Sequence, residues 1–151
     1  MSIIIKYFNS FNSFNSFNEI NNYDKVIYIN CYNTQLTVLP ELPNSLEVLY
    51  CYYNQLTELP KLPNSLRTLG CSNNKLTSLS KLPKTLKELY CCNNQLISLP
   101  ILPNSLIILR CYNNQLTTLP ELPNSLQLLI CSDNQFIKKH KYKYIIKIIY
   151  L

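Results

Sequence analysis

Residues 46–65 read Leu46-Glu47-Val48-Leu49-Tyr50-Cys51-Tyr52-Tyr53-Asn54-Gln55-Leu56-Thr57-Glu58-Leu59-Pro60-Lys61-Leu62-Pro63-Asn64-Ser65, and residues 66–85 run through the same frame again as LRTLGCSNNKLTSLSKLPKT. Cysteine recurs every twenty residues, at Cys31, Cys51, Cys71, Cys91, Cys111 and Cys131. With each of these cysteines counted as position 1, leucine holds positions 6, 9, 12, 16 and 19 of the complete repeats, proline position 13, and asparagine position 4 from Asn54 to Asn134. The frame is LxxLxCxxNxLxxLPxLPxS, the x before the serine being asparagine in the other complete repeats, with Thr34, Ser80, Lys84 and Thr85 as its departures. A fixed period of this length means stacked structural units, which decides the architecture before any single element is considered.

Elementary stereochemistry sets the form of each unit. Leu49-Tyr50-Cys51-Tyr52 alternates as a strand does, with Leu49 and Cys51 on one face and Tyr50 and Tyr52 on the other. Pro40 and Pro43 each lack an N–H and bias the residue before them to extended conformations, so the return segment cannot be a regular helix. One short parallel strand per coil and an extended or 3-10 return are expected. A leucine nearly bare in an isolated coil becomes covered by its equivalents in the coils on either side.

The frame extends past the complete repeats. Val26, Ile29 and Cys31 already fit LxxLxC, while Ile146, Ile149 and Leu151 fall at positions 16, 19 and 21 counted from Cys131. The division expected is therefore a flexible low-complexity segment over 1–25, a repeat domain over 26–137, and a basic tail over 138–151 that forms a degenerate last repeat or cap. The Phe-Asn-Ser triplets between Phe8 and Asn18 keep no phase with the twenty-residue period. Lysines at the C-terminal end would oppose edge-to-edge pairing.

This frame resembles the leucine-rich repeat family, whose signature LxxLxLxxN/CxL is met by Leu66, Leu69, Cys71, Asn74 and Leu76. The twenty-residue length and LPxLP ending are similar to the short repeats of bacterial effector proteins and of giant-virus proteins. The resemblance implies a curved right-handed solenoid of about six coils, a β solenoid of the leucine-rich-repeat type, and a binding role with no fixed partner. Some similar effectors attach a cysteine-dependent ubiquitin ligase domain after their repeats, and none is expected in the short stretch from Phe136 to Leu151.

Composition narrows the function. The chain has 151 residues, 47% of them hydrophobic, with a single glycine, which disfavours glycine-rich phosphate loops. The net charge of +6 gathers in Lys138, Lys139, Lys141, Lys143 and Lys147, so the body is near neutral and an anionic partner, nucleic acid or membrane, is expected only at the tail. No signal-peptide pattern, no membrane-length apolar run and no Asn-x-Ser/Thr acceptor is visible, which suits an intracellular, cytoplasmic setting.

Three columns carry the candidate chemistry. The cysteines lack the CxxC-type pairing of a zinc site, and equivalent Cβ atoms about 4.8 Å apart with parallel vectors do not suit disulfides, so they are expected to be core. Cys92, at position 2, alternates outward and is expected to be the one reactive thiol. The position-4 asparagines should satisfy inward-pointing backbone groups, and Asn73, Asn93 and Asn113 should be solvated turn residues.

The outward strand columns are where binding is expected: Asn30, Tyr50, Gly70, Tyr90, Arg110 and Ile130 at position 20; Tyr32, Tyr52, Ser72, Cys92, Tyr112 and Ser132 at position 2; Tyr28, Val48, Thr68, Glu88, Ile108 and Leu128 at position 18. Tyrosine and arginine are common interface anchors, which selects Tyr32, Tyr50, Tyr52, Tyr90, Arg110 and Tyr112 as contact residues. His140 is the sole histidine and no carboxylate pair recurs, so neither catalysis, metal nor cofactor is expected. The leading expectation is a monomeric, non-enzymatic module that binds another protein. A peripheral binder of membrane or nucleic acid through the tail, and an inactive truncated paralogue, are the alternatives.

Overall fold

The computed structural model describes residues 4–7 and 22–136. Seven parallel strands form one sheet in chain order: β1 Ile4–Tyr7, β2 Val26–Asn30, β3 Val48–Tyr50, β4 Thr68–Gly70, β5 Glu88–Tyr90, β6 Ile108–Arg110 and β7 Leu128–Ile130. From β2 to β7 the register advances by one repeat per strand, pairing Ile29 with Leu49, then Leu69, Leu89, Leu109 and Leu129 in turn. The chain is a solenoid with the twenty-residue pitch of its sequence.

The ladder outlasts the three-residue strands. Cys51 N–H donates to Gly70 O at 2.7 Å, Tyr53 N–H to Ser72 O at 3.1 Å, and Gln55 N–H reaches back to Leu36 O at 2.8 Å. Each return segment is extended and closes with one turn, Leu46 N–H to Pro43 O at 3.0 Å in the first complete repeat and its equivalents after it. Among the described residues the 3-10 helix is Tyr23–Lys25, leading into β2. Prolines at positions 10 and 13 account for this, since they remove donors that a helical return would need.

Leucines at positions 6, 16 and 19 and the position-1 cysteines are wholly or almost wholly buried, as at Leu56, Leu66, Leu69 and Cys71, each at 0% exposure. All seven cysteines are free thiols. The core-packing expectation for the position-1 cysteines therefore describes the fold.

Position 4 is a hydrogen-bond ladder. Asn74 Oδ1 accepts from Leu56 N–H at 3.0 Å, and its Nδ2 donates to Cys51 O at 2.9 Å and Cys71 O at 3.0 Å. One side chain thus joins two coils. Thr34 stands at the head of the ladder, where its hydroxyl donates to Cys31 O at 2.9 Å, and Asn54 Oδ1 supplies the acceptor for Thr34 N–H at 3.1 Å. A second ladder, without a role assigned from the sequence, runs along position 15. Ser65 Oγ donates to Leu46 O at 2.6 Å and Thr85 Oγ1 to Leu66 O at 2.8 Å, so threonine serves as well as serine.

Position 3 lies in the left-handed region in every coil: Asn33, Tyr53, Asn73, Asn93, Asn113 and Asp133 have φ between 52° and 58°. Asparagine and aspartate tolerate that conformation best among side-chain-bearing residues, which explains the column. Asn113 Nδ2 donates to Asn93 Oδ1 at 2.7 Å on the exposed rim.

The segment 1–25 was expected to be flexible throughout, yet Ile4–Tyr7 forms β1 and pairs with β2, Lys6 opposite Ile29 and Tyr7 opposite Asn30. The Ile3-Ile4-Ile5 run supplies the strand propensity that a reading by triplets overlooks. The triplet tract and the expected C-terminal cap lie outside the described residues.

Candidate functional site

The outward strand face is built by alternation: in β3 the buried Leu49 separates half-buried Val48 and Tyr50. Tyr50 and Tyr52, two residues apart, therefore share the outer face, and their rings stack with centroids 5.4 Å apart and planes at 21°. Tyr28 meets Tyr50 edge-on at 5.8 Å. On the other side Tyr52 leans across the next coil, where its ring covers Gly70; a Cβ there would overlap Tyr52 Cζ and Oη and lie 2.7 Å from Tyr50 Cδ1. Gly70 is the one glycine of the chain, and the side chain it lacks is the space that Tyr52 fills.

Beyond Gly70 the face continues through Tyr90 to Arg110, whose guanidinium carbon stands 5.6 Å from the Tyr90 ring centroid. The Tyr90 hydroxyl donates to Glu88 Oε2 at 3.1 Å. Burial first, then the hydrogen bond and charge of Glu88, pushes the Tyr90 phenol up to about 12, with Arg110 pulling the other way. Burial, followed by the neighbouring Tyr50 and Tyr90 hydroxyls, raises the Tyr52 phenol well above its usual range. These hydroxyls are neutral near pH 7, so they offer hydrogen bonds and apolar ring faces rather than nucleophiles or bases.

Four of the six expected contact residues, Tyr50, Tyr52, Tyr90 and Arg110, thus lie in one continuous run. Tyr112 stands at its end, beside Cys92 and within the influence of the Arg110 charge. Tyr32 stands apart: its partner is Tyr53, edge-on at 5.3 Å, and both rings are about half exposed. Tyr28 and Gly70 belong to the face but were not among the selected residues. The lone glycine between Tyr50 and Tyr90 in the position-20 column was the available signal.

Cys92 requires a correction. It alternates outward as expected, yet it is only 3% exposed, because its position-2 neighbours in the adjoining coils, Ser72 and Tyr112, close over it. Its backbone N–H donates to Ser72 Oγ at 3.0 Å, and burial raises its thiol above the ordinary range. A protonated, covered thiol is not a reactive one.

Among the described residues no three His, Cys, Asp or Glu side chains are grouped as a metal would need, and no helix is long and apolar enough to cross a membrane. His140 and the lysine-rich tail lie outside those residues. The repeats match a known family and solved structures. Residues 44–84 fit the family described as Leucine Rich repeats (2 copies). The repeats of this chain are leucine-rich repeats.

Solved structures of leucine-rich-repeat proteins share the fold. YopM from Yersinia enterocolitica WA-314 is 42% identical at a TM-score of 0.74, over 75% of this chain and 25% of that one. YopM from Yersinia pestis, described as a leucine-rich effector protein, is 41% identical at 0.70, over 72% and 32%. The LRR domain of a Shigella effector is 34% identical at 0.67, over 78% and 64%. The chain spans a quarter to under two thirds of the length of these relatives. No curated protein matches it in sequence. The likeness to effector repeats expected from the LPxLP ending is therefore found in three solved structures.

Proposed function

We propose that this leucine-rich-repeat chain is a non-catalytic interaction module and that a protein partner docks on the strand face running from Tyr28 through Tyr50, Tyr52 and Tyr90 to Arg110. The observation that carries the reading is the mutual packing of those side chains. Stacked, edge-on and cation–π contacts fix the rings before any partner arrives, which lowers the entropy that docking must overcome. Tyrosine and arginine are enriched among residues that dominate interface energies. The relatives named as effectors make such a role natural for this repeat type, and free buried thiols suit a reducing, intracellular setting.

The test is affinity capture from cells with the wild type and with a variant carrying Tyr50→Ser, Tyr52→Ser and Tyr90→Ser. Each aromatic anchor at a hot spot is worth about 2 kcal/mol or more, so a partner held by the wild type should be lost while the far-ultraviolet circular dichroism is retained. Capture that survives the tyrosine changes but disappears on deletion of residues 138–151 would overturn the reading in favour of the tail.

A further inference from the structure

Of the four departures from the repeat frame, Thr34 and Thr85 keep their ladders, whereas the side chains of Ser80 and Lys84 make no described bond of that kind, Lys84 serving only through its backbone carbonyl, which accepts from Ser105 Oγ at 2.8 Å. Ser80 and Lys84 line the same cleft. It lies between the return segments of successive coils, has a volume of about 820 Å³, and is bordered by Lys61, Lys81 and Lys84 over a floor that includes Leu62, Leu82 and Pro83. Ser80 stands where the neighbouring clefts have Pro100 and Pro120, and those clefts are smaller, at about 670 and 340 Å³. Ser80 puts a hydroxyl where those clefts have a proline ring, and Lys84, in place of asparagine, adds a third cation.

The charge there is not neutralised from within. Among the described residues the ion pair is Arg67 Nε to Glu47 Oε2 at 3.4 Å, so no described carboxylate lies within bridging distance of Lys61, Lys81 or Lys84. One coil further on, Ile101 borders the next cleft together with Lys81 and Lys84 and is 89% exposed, the most exposed large apolar side chain described. None of the strand-face tyrosines borders either cleft.

We infer that the return side of the coils from Lys61 to Ile101 is a second docking groove, and that its occupant is an acidic peptide segment carrying an apolar residue. Three unpaired ammonium groups call for several carboxylates, and the exposed isoleucine beside them calls for an apolar side chain. A bare phosphate could take hydrogen bonds from the lysines and Ser80 but would leave the exposed Ile101 and the leucine and proline floor uncovered. No aromatic ring lines the cleft for bases to stack on, which disfavours single-stranded nucleic acid.

The probe is a fluorescein-labelled peptide Asp-Glu-Asp-Leu-Glu-Asp, followed by anisotropy at about 0.1 M salt with the full chain. Saturable binding is expected. Lys81→Glu should weaken it by about tenfold or more, and Lys84→Asn, which restores the repeat frame, by about threefold. Ile101→Ser should abolish the advantage of this peptide over one with Ser in place of Leu. Lys75→Glu, an exposed lysine bound to Gln55 and outside the cleft, should leave affinity unchanged, as should Tyr52→Ser. The inference is overturned if no saturation is reached by about 1 mM peptide. It is equally overturned if Lys75→Glu costs as much as Lys81→Glu, or if inorganic phosphate or polyuridylate displaces the peptide at concentrations below that of unlabelled peptide. Lys75, Lys81, Lys84 and Ile101 are exposed and Tyr52 is half-buried, so circular dichroism and the melting temperature of each variant separate lost binding from lost fold.

Discussion

The ring of Tyr52 occupies the place where Gly70 would carry a side chain. These residues belong to adjacent coils, and together they hold the centre of the tyrosine face. Gly70→Ala should push Tyr52 off its seat and destabilise the fold by about 1–3 kcal/mol, as overpacking does. In a Tyr52→Ser background the same change should cost clearly less, because the overlap that remains is with Tyr50 Cδ1 alone. Urea denaturation of the four proteins reads the coupling. Equal effects in both backgrounds would contradict the packing described.

Asn74→Ala should cost about 1–3 kcal/mol for each buried group it orphans, among them Leu56 N–H and Cys51 O. Both coils lose a partner, so the loss should broaden or split the thermal transition as well as lower it. A single sharp transition at the wild-type temperature would rule out the ladder's contribution.

Thiol chemistry gives a prediction with a definite sign. Burial pushes the Cys71 thiol from 9.0 up to about 12. Above pH 9 the unfolded chain releases this proton while the folded chain keeps it, so the stability present below pH 9 is lost as pH rises towards 12, at about 1.4 kcal/mol per pH unit for each such thiol. Melting temperatures measured from about pH 8 to about pH 10.5 should fall with increasing steepness, and Cys71→Val should reduce that slope. In the native protein at pH 8 a thiol reagent should find no fast-reacting cysteine, Cys92 included. One rapid equivalent mapping to Cys92 would show that Ser72 and Tyr112 do not cover it.

Tyr53 holds φ at 54°, where every other coil has asparagine or aspartate. Relief of that backbone is worth about 1 kcal/mol or more, against an exposed edge contact with Tyr32 worth about half as much. Tyr53→Asn should therefore raise the melting temperature. A fall would assign the larger share to the ring pair.

Most of the fold was legible because each residue's environment is set by translation along the stack. Leu49, Leu69 and Leu89 face the same interior, so one reading serves all three. The Asn ladder followed from the same logic. The lysine cleft escaped notice because a near-neutral body was taken as a whole, although Lys61 and Lys81 share position 11 and Lys84 lies three residues on. Charge cancels in a sum over the chain but not across the width of a groove. Strand β1 was hidden by its separation from the period.

The amino-acid sequence by itself determined the twenty-residue coil, the parallel in-register sheet, the identity of the buried columns and the face on which each strand residue lies. These are consequences of periodicity and alternation, which need no knowledge of side-chain shape. Only the tertiary structure decided that Cys92 is covered, that Tyr52 lies over Gly70, that Tyr32 pairs with Tyr53 away from the main aromatic run, and that Ser80 lines a cleft with three lysines. Each of these depends on the volumes of unlike residues brought side by side from adjacent coils. A column assigns a side chain its direction, and its lateral neighbours decide what remains for solvent or a partner to touch.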